Sequence, residues 1–209
     1  MALKTFVKIS AVSNLSDARY CAGMTVNLMG FDLNKSSLSY VSPETFIELT
    51  GWLSGVEFVG EYGNATEEAI TESIKDYEIS YLQTDNPAII PLFPTLKRIL
   101  RFDMDIIAHA DEVKNTLEKV GDEVEFFLFE SGNGNYYKEN VMQQVLALAN
   151  KYPVVLGFNI DDANVMDLVD DTSIKGISLT GSEEIRPGYK DFDELADILE
   201  ILEINDTLE

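Results

Sequence analysis

The chain has 209 residues, 45% of them hydrophobic and 10% aromatic, which is enough for one ordinary globular core, and 1–209 is read as a single domain. Its 37 Asp and Glu against 15 Lys and Arg give a formal charge of −22, which repels a phosphate backbone and excludes nucleic acid as the natural partner. One cysteine and one histidine leave no internal disulfide and no Cys/His zinc set, and apolar runs such as Phe126-Phe127-Leu128-Phe129 fall far short of the ~18–20 residues that cross a bilayer.

Strand-length apolar runs alternate with helical patterns from one end to the other, the mark of βαβ units with parallel strands. The strands are expected at 5–11, 26–32, 56–62, 78–83, 97–103, 124–130, 153–158 and 174–180. Ser42 before Pro43 and Glu44 marks the start of the second helix, and Tyr40 and Trp52 are expected to pack it. Asn64, three residues before Glu67, reads as the next N-cap. In the fourth interval Pro87, Pro91 and Pro94 permit a short helical turn at most. Asp191, three before Glu194, opens the last helix, where Phe192, Leu195, Ala196, Leu199 and Leu202 recur at helical spacing and face a core.

Eight such pairs predict an α/β fold, a single-domain (β/α)₈ TIM barrel with a closed, parallel, eight-stranded sheet and short loops. An open doubly wound sheet is the competitor, but no G-x-G-x-x-G follows the first strand. In the barrel, any chemistry belongs at the C-terminal ends of the strands. The start of the chain shows no basic stretch leading into a long apolar one, so a cytoplasmic location is expected.

The strand ends carry a pattern. Val7-Lys8-Ile9-Ser10 is followed by Asn14-Leu15-Ser16-Asp17-Ala18. Gly30-Phe31 ends the second strand, Tyr40-Val41-Ser42-Pro43-Glu44 leads into the second helix, and Val59-Gly60 precedes Asn64-Ala65. The run from Gly176 to Asp191 closes with Arg186-Pro187-Gly188-Tyr189-Lys190-Asp191. Together these segments resemble the phosphoribosylanthranilate isomerase family of tryptophan biosynthesis, patchily but over the whole length. That resemblance implies a (β/α)₈ barrel and an Amadori aldose–ketose isomerisation of a phosphorylated sugar, with a cysteine at the end of the first strand as general base and an aspartate at the end of the sixth as general acid.

This chain departs from the family pattern at those positions. Ser10 stands where the resemblance places the cysteine, Ala11 where it places a glycine, and Glu130 where it places the aspartate. Ser39 aligns with an arginine, and Gln83-Thr84 with a histidine-glycine pair. Cys21 lies in the first helix and cannot serve as the base. A serine hydroxyl is a poor base without a neighbour to deprotonate it, and a positioned base contributes ~10²–10⁴-fold.

Glu130, Ser10 and Lys8 are therefore the candidate catalytic residues. Glu130 emerges at the catalytic face after four apolar residues, or else pairs with a cation such as Lys8. Lys8 lies two residues before Ser10, so both point into the barrel, where a buried ammonium needs an acidic partner or a ligand oxygen. Ser10 also reads as a small residue filling the thiol position. Gly134 in the Gly132–Asn135 turn, Gly157 at the end of the seventh strand and Thr180-Gly181-Ser182 at the end of the eighth are the candidate phosphate-binding residues. Arg186 could add charge there or face solvent. Asp103 and Asp105 are read as solvated acids, not metal ligands, and His109 as a surface or capping residue. No cofactor is expected. The function expected is a barrel that acts on or binds a phosphorylated sugar-type molecule, monomeric or homodimeric, with the family reaction weakened, altered or lost. The competing reading is a non-catalytic metabolite-binding or protein-interaction barrel.

Overall fold

The computed structural model describes residues 2–105, 110–131, 139–181, 184–186, 189–190 and 193–204. Eight parallel strands close into a barrel in chain order: β1 (Phe6–Ser10), β2 (Leu28–Asp32), β3 (Glu57–Glu61), β4 (Tyr81–Thr84), β5 (Lys97–Asp103), β6 (Phe126–Glu130), β7 (Val154–Gly157) and β8 (Gly176–Thr180). The (β/α)₈ expectation holds, and every strand falls within its expected range except β4, which runs one residue further, to Thr84. β8 pairs back onto β1 from Phe6 opposite Gly176 to Ser10 opposite Thr180, so the sheet has no open edge. A short antiparallel hairpin, β9 (Glu184–Arg186) with β10 (Tyr189–Lys190), follows β8.

The helices are α1 (Leu15–Gly23), α2 (Pro43–Thr50), α3 (Glu67–Ser73), α4 (Ala110–Val120), α5 (Glu139–Ala149), α6 (Val165–Asp171) and α7 (Asp193–Ile201). Local chemistry sets their starts. Asn14 caps α1 by accepting from the Asp17 N–H at 3.0 Å, and Ser42 caps α2 by accepting from Thr45 at 3.2 Å, with Pro43 at the first helical position. At α3 the cap is Thr66, not Asn64: the Thr66 hydroxyl directly precedes the helix and accepts from the Ala69 N–H, while Asn64 lies two residues further back, beside a turn in which the Ala65 N–H donates to Tyr62. The β4–β5 connection is a 3₁₀ turn at Pro87–Leu92, as the prolines require. The proposed cap Asp191 and the stripe residue Phe192 lie outside the described residues.

Two apolar regions hold the fold. Phe6, Leu28, Val59, Tyr81, Ile99, Phe126, Leu128 and Val155 fill the lower lumen of the barrel. The alternate strand residues, including Ile9, Met29, Phe31, Leu100, Phe127 and Leu156, meet the helices outside it. Under α2, the rings of Phe31, Phe46, Phe58 and Tyr77 pack edge to face at centroid separations of 5.0–5.9 Å. Trp52 does not join them and is 81% exposed. The buried face of α2 runs through Phe46 and Leu49 to Leu53, which lies one turn on, and Trp52 points away from that stripe beyond the terminal Gly51. Tyr40 reaches the cluster only through its hydroxyl, 3.0 Å from that of Tyr77. Among the described residues no helix is long and apolar enough to cross a membrane.

Candidate active site

Alternation along the strands lifts polar side chains onto the apolar floor of the lumen. In β1, Phe6 belongs to the floor, Lys8 stands one layer above it and Ser10 at the rim. The same step in β3 goes from Val59 to Glu61, in β4 from Tyr81 to Gln83, in β5 from Ile99 to Arg101, and in β6 from Leu128 to Glu130. Lys8 is fully buried, and Ser10, Gln83 and Ser178 are each at most 5% exposed.

These side chains form one hydrogen-bonded network. The Lys8 ammonium donates to Glu61 Oε1 at 2.6 Å and to Ser10 Oγ at 2.5 Å. Ser10 Oγ donates to Glu130 Oε1 at 2.5 Å and lies 3.0 Å from Ser178 Oγ, which itself donates to Glu130 Oε1 at 2.8 Å. The direction is forced: an ammonium can only donate, so the Ser10 oxygen accepts from Lys8 and its single proton is free to point at Glu130. Two hydroxyls thereby orient one carboxylate oxygen, and the other, Oε2, faces Arg101 Nη1 at 3.7 Å. Arg101 is itself clamped in bidentate fashion by Asp85, at 2.8 and 2.7 Å.

Lys8, Ser10 and Glu130 thus converge, but the ion-pair partner of Lys8 is Glu61 instead of Glu130. Gly30 on the intervening strand β2 is the reason. A Cβ there would lie 1.9 Å from Glu61 Oε1 and 3.1 Å from Lys8 Nζ, so only glycine lets the Glu61 side chain cross to the ammonium. Gly157 does the same for the other acid, since a Cβ on it would lie 2.6 Å from Glu130 Cγ. Two strand-end glycines make room for the two carboxylates.

Burial raises the pKa of Glu61, the neighbouring Lys8 ammonium opposes that shift, and the Glu130 carboxylate adds to it. Both Glu61 oxygens are used, because Oε2 accepts from the Ala11 N–H at 3.1 Å. Ala11 adopts φ +54°, the left-handed region, directly after Ser10. Arg101 is held firmly protonated by its hydrogen bonds to Asp85. Cys21 is buried in α1, where burial and then Asp17 push its thiol to about 12, well away from any thiolate chemistry.

The network opens into a cavity of about 360 Å³ walled by Ser10, Asp32, Glu61, Gln83, Arg101 and Glu130, with Gly157 and Thr180 on its β7–β8 side. Thr180 is exposed at the end of β8. The Gly181 N–H is already donated to the Ser10 carbonyl at 3.0 Å, and a Cβ on Gly181 would lie 3.1 Å from the carboxylate of the buried Asp17. Gly134, Ser182, His109 and the Arg186 side chain lie outside the described residues. Asp103 accepts from the Asp105 N–H at 3.0 Å, and Asp105 accepts from Ser131 at 2.7 Å. Among the described residues no group of three or more His, Cys, Asp or Glu is placed to share a metal ion.

Sequence reasoning missed Glu61, Arg101, Ser178 and Asp32. One signal could have found the first two: each is an ionisable residue two positions beyond an apolar, inward-facing one in its strand.

No family model matches the chain. A curated N-(5'-phosphoribosyl)anthranilate isomerase from Parabacteroides distasonis is 25% identical over 206 residues, covering 93% of this chain and 91% of the relative. The crystal structure of phosphoribosyl anthranilate isomerase from Thermotoga maritima superposes with a TM-score of 0.76 at 19% identity, over 95% of this chain and 98% of that one. A phosphoribosyl anthranilate isomerase in complex with reduced 1-(o-carboxyphenylamino)-1-deoxyribulose 5-phosphate gives 0.70 at 20% identity, with the same coverage. The resemblance read from the strand ends therefore extends over nearly the whole chain in sequence and in fold.

Proposed function

We propose that this barrel is an acid–base isomerase of the phosphoribosylanthranilate isomerase type, acting on a phosphorylated sugar-type molecule with Glu130 as its principal proton-transferring group. The observation that carries the reading is the Lys8–Ser10–Glu130 chain of 2.5 Å contacts at the mouth of a cavity, with Glu61 as a second carboxyl group on the same ammonium. The sequence relative, an isomerase of a phosphorylated sugar conjugate, and the fold neighbour that binds a deoxyribulose 5-phosphate support the substrate class.

An aldose–ketose rearrangement protonates the ring oxygen as the C1–O bond breaks and removes a proton from C2. The resulting enol or enolamine then tautomerises to the ketone. No atoms are gained or lost, so proton carriers suffice. Glu130, oriented by Ser10 and Ser178, takes and returns the proton at the substrate. Glu61, the carboxylate paired with Lys8, is the second carrier; burial raises its proton affinity while the ammonium opposes that shift, and the same ammonium donates to Ser10, which orients Glu130. The phosphate is assigned to the β7–β8 side, beside Gly157, Thr180 and Gly181; Gly134 and Ser182 remain phosphate-binding candidates from the sequence.

With a serine in place of a thiol base, the family reaction is weakened. Phosphoribosylanthranilate turnover is expected ~10²–10⁴-fold below that of the Thermotoga maritima enzyme. Ser10→Cys raises kcat/KM and Glu130→Gln removes the remainder. An unchanged rate in Glu130→Gln would sink the assignment. Absence of turnover in both the natural protein and Ser10→Cys, measured in purified protein and by complementation of a tryptophan auxotroph, would favour the non-catalytic reading.

A further inference from the structure

Among the described residues that wall the cavity, Arg101 is the one cation, facing the carboxylates of Asp32, Glu61 and Glu130. Gln83 stands beside it: in the β4–β5 ladder Gln83 is opposite Ile99, and Arg101 lies two residues further on, on the same inward face. Asp85 takes the Nε and Nη2 donors of the guanidinium at 2.8 and 2.7 Å. That clamp fixes the plane of the group and leaves the two N–H bonds of Nη1 over. Among the described residues Nη1 makes no hydrogen bond; Glu130 Oε2 lies 3.7 Å from it, and Asp103 Oδ2 lies 3.8 Å from Nη2. Gln83 is 3% exposed, and its buried side-chain oxygen has no hydrogen-bond partner. The last torsion of a glutamine is soft, so its amide can turn N–H groups to a ligand. Buried polar groups are normally matched, and two unmatched neighbours on a cavity wall mark a place for ligand atoms. The acids of the wall have other donors: Glu61 pairs with Lys8 at 2.6 Å, Asp32 accepts from the Asn34 N–H at 3.1 Å and from the Ser37 hydroxyl, and Glu130 Oε1 holds two hydroxyls. Ser39, where the resemblance places an arginine, is exposed and stands outside this wall.

We infer that Arg101 is the specificity-determining residue for a carboxylate on the end of the ligand remote from the phosphate, with the Gln83 amide as a second donor and Asp85 as the residue that positions the guanidinium. In the closed barrel β4 and β5 stand across the lumen from β8. A ligand whose phosphate lies on the β7–β8 side therefore passes Glu130 and brings its other end to Arg101. A planar carboxylate matches the open edge of the planar guanidinium, whereas a neutral end leaves Nη1 unmatched. The inference rests on the sugar-phosphate isomerase reading for the remainder of the ligand and adds which residue reads its acidic end.

The test is calorimetric, on three stable open-chain compounds: N-(5-phosphoribityl)anthranilate, N-(5-phosphoribityl)aniline, which lacks only the carboxylate, and N-ribitylanthranilate, which lacks only the phosphate. The natural protein is expected to bind the first at least ~10-fold more tightly than the second, a ratio on the order of one charge-assisted hydrogen bond. Arg101→Gln brings that ratio close to one, and Gln83→Leu lowers it. Because Arg101→Gln strands the Asp85 carboxylate, the ratio is also measured in Arg101→Gln/Asp85→Asn, where the pair is neutral and the same collapse is expected; circular dichroism confirms that each variant is folded. Equal or weaker binding of the carboxylated compound by the natural protein overturns the inference and leaves the phosphate reading standing. A ratio that persists in both Arg101 variants also overturns it. Equal binding of N-ribitylanthranilate and its 5-phosphate, with the carboxylate ratio intact and lost in the Arg101 variants, overturns the phosphate reading and supports the inference. No binding by any of the three compounds overturns both.

Discussion

At Ala11 the backbone holds φ +54°, a conformation in which Cβ crowds the neighbouring carbonyl and which costs a non-glycine residue about 1–2 kcal/mol. The turn is fixed from two sides: the Ala11 N–H donates to Glu61 Oε2, and the carbonyl of Ser10 accepts from Gly181. The chain thus holds a left-handed turn at the position where the resemblance places a glycine, while carrying a methyl group that strains it. Ala11→Gly is expected to stabilise the fold by about 1 kcal/mol, the relief of strain outweighing the extra freedom of the unfolded glycine. Urea denaturation at constant m-value measures it. A lower midpoint would show that the methyl group contributes packing that outweighs its strain. Lys8 shows what a sequence can convey. That Lys8 is buried and needs a partner followed from its place two residues from Ser10 in a strand. Which carboxylate it takes did not, because the choice depends on a missing side chain, at Gly30, on a neighbouring strand.

Elements were the most legible level, and for local reasons. Apolar strands of four to seven residues alternate with helical patterns, and the caps of α1 and α2 are side chains bonded within three residues. The misreadings occurred where an element's face, not its existence, was at issue. Trp52 is expected from the sequence to pack α2, yet the helix period places Phe46, Leu49 and Leu53 inward and leaves Trp52 and Ile47 outside. The energetic anchor of this element is therefore Phe46, 2% exposed and ringed by Phe31, Phe58 and Tyr77. Phe46→Ala should cost about 3–5 kcal/mol, whereas Trp52→Ala should cost less than about 0.5 kcal/mol, both read from equilibrium unfolding. Comparable losses at the two positions would mean that the exposed tryptophan is covered in solution.

For the whole molecule the governing quantity is charge. A closed barrel with β8 returning to β1 buries its strands inside a helical coat, and among the described residues only Lys8, Asp17 and Glu61 are buried charged groups, so the remaining described charge lies on the outer surface or around the mouth. Local pairing relieves little of it: Lys97 meets Glu57 at 3.0 Å and Lys151 meets Glu118 only at 4.0 Å, both pairs being well exposed and worth at most about 1 kcal/mol each. The long-range sum is repulsive in the compact state and weaker in an expanded chain, where the same charges lie further apart. Screening should therefore stabilise the fold. Between ~10 mM and ~1 M potassium chloride the Debye length falls from ~30 Å to ~3 Å, short enough to suppress repulsion across the barrel while the buried Lys8–Glu61 pair, at 2.6 Å, remains unscreened. The melting temperature is expected to rise by several degrees over that range at neutral pH, most of it below ~0.2 M. Chloride is the appropriate anion because sulfate would strengthen apolar burial by exclusion and confuse the reading. A falling melting temperature would show that attractive surface pairs outweigh the net charge.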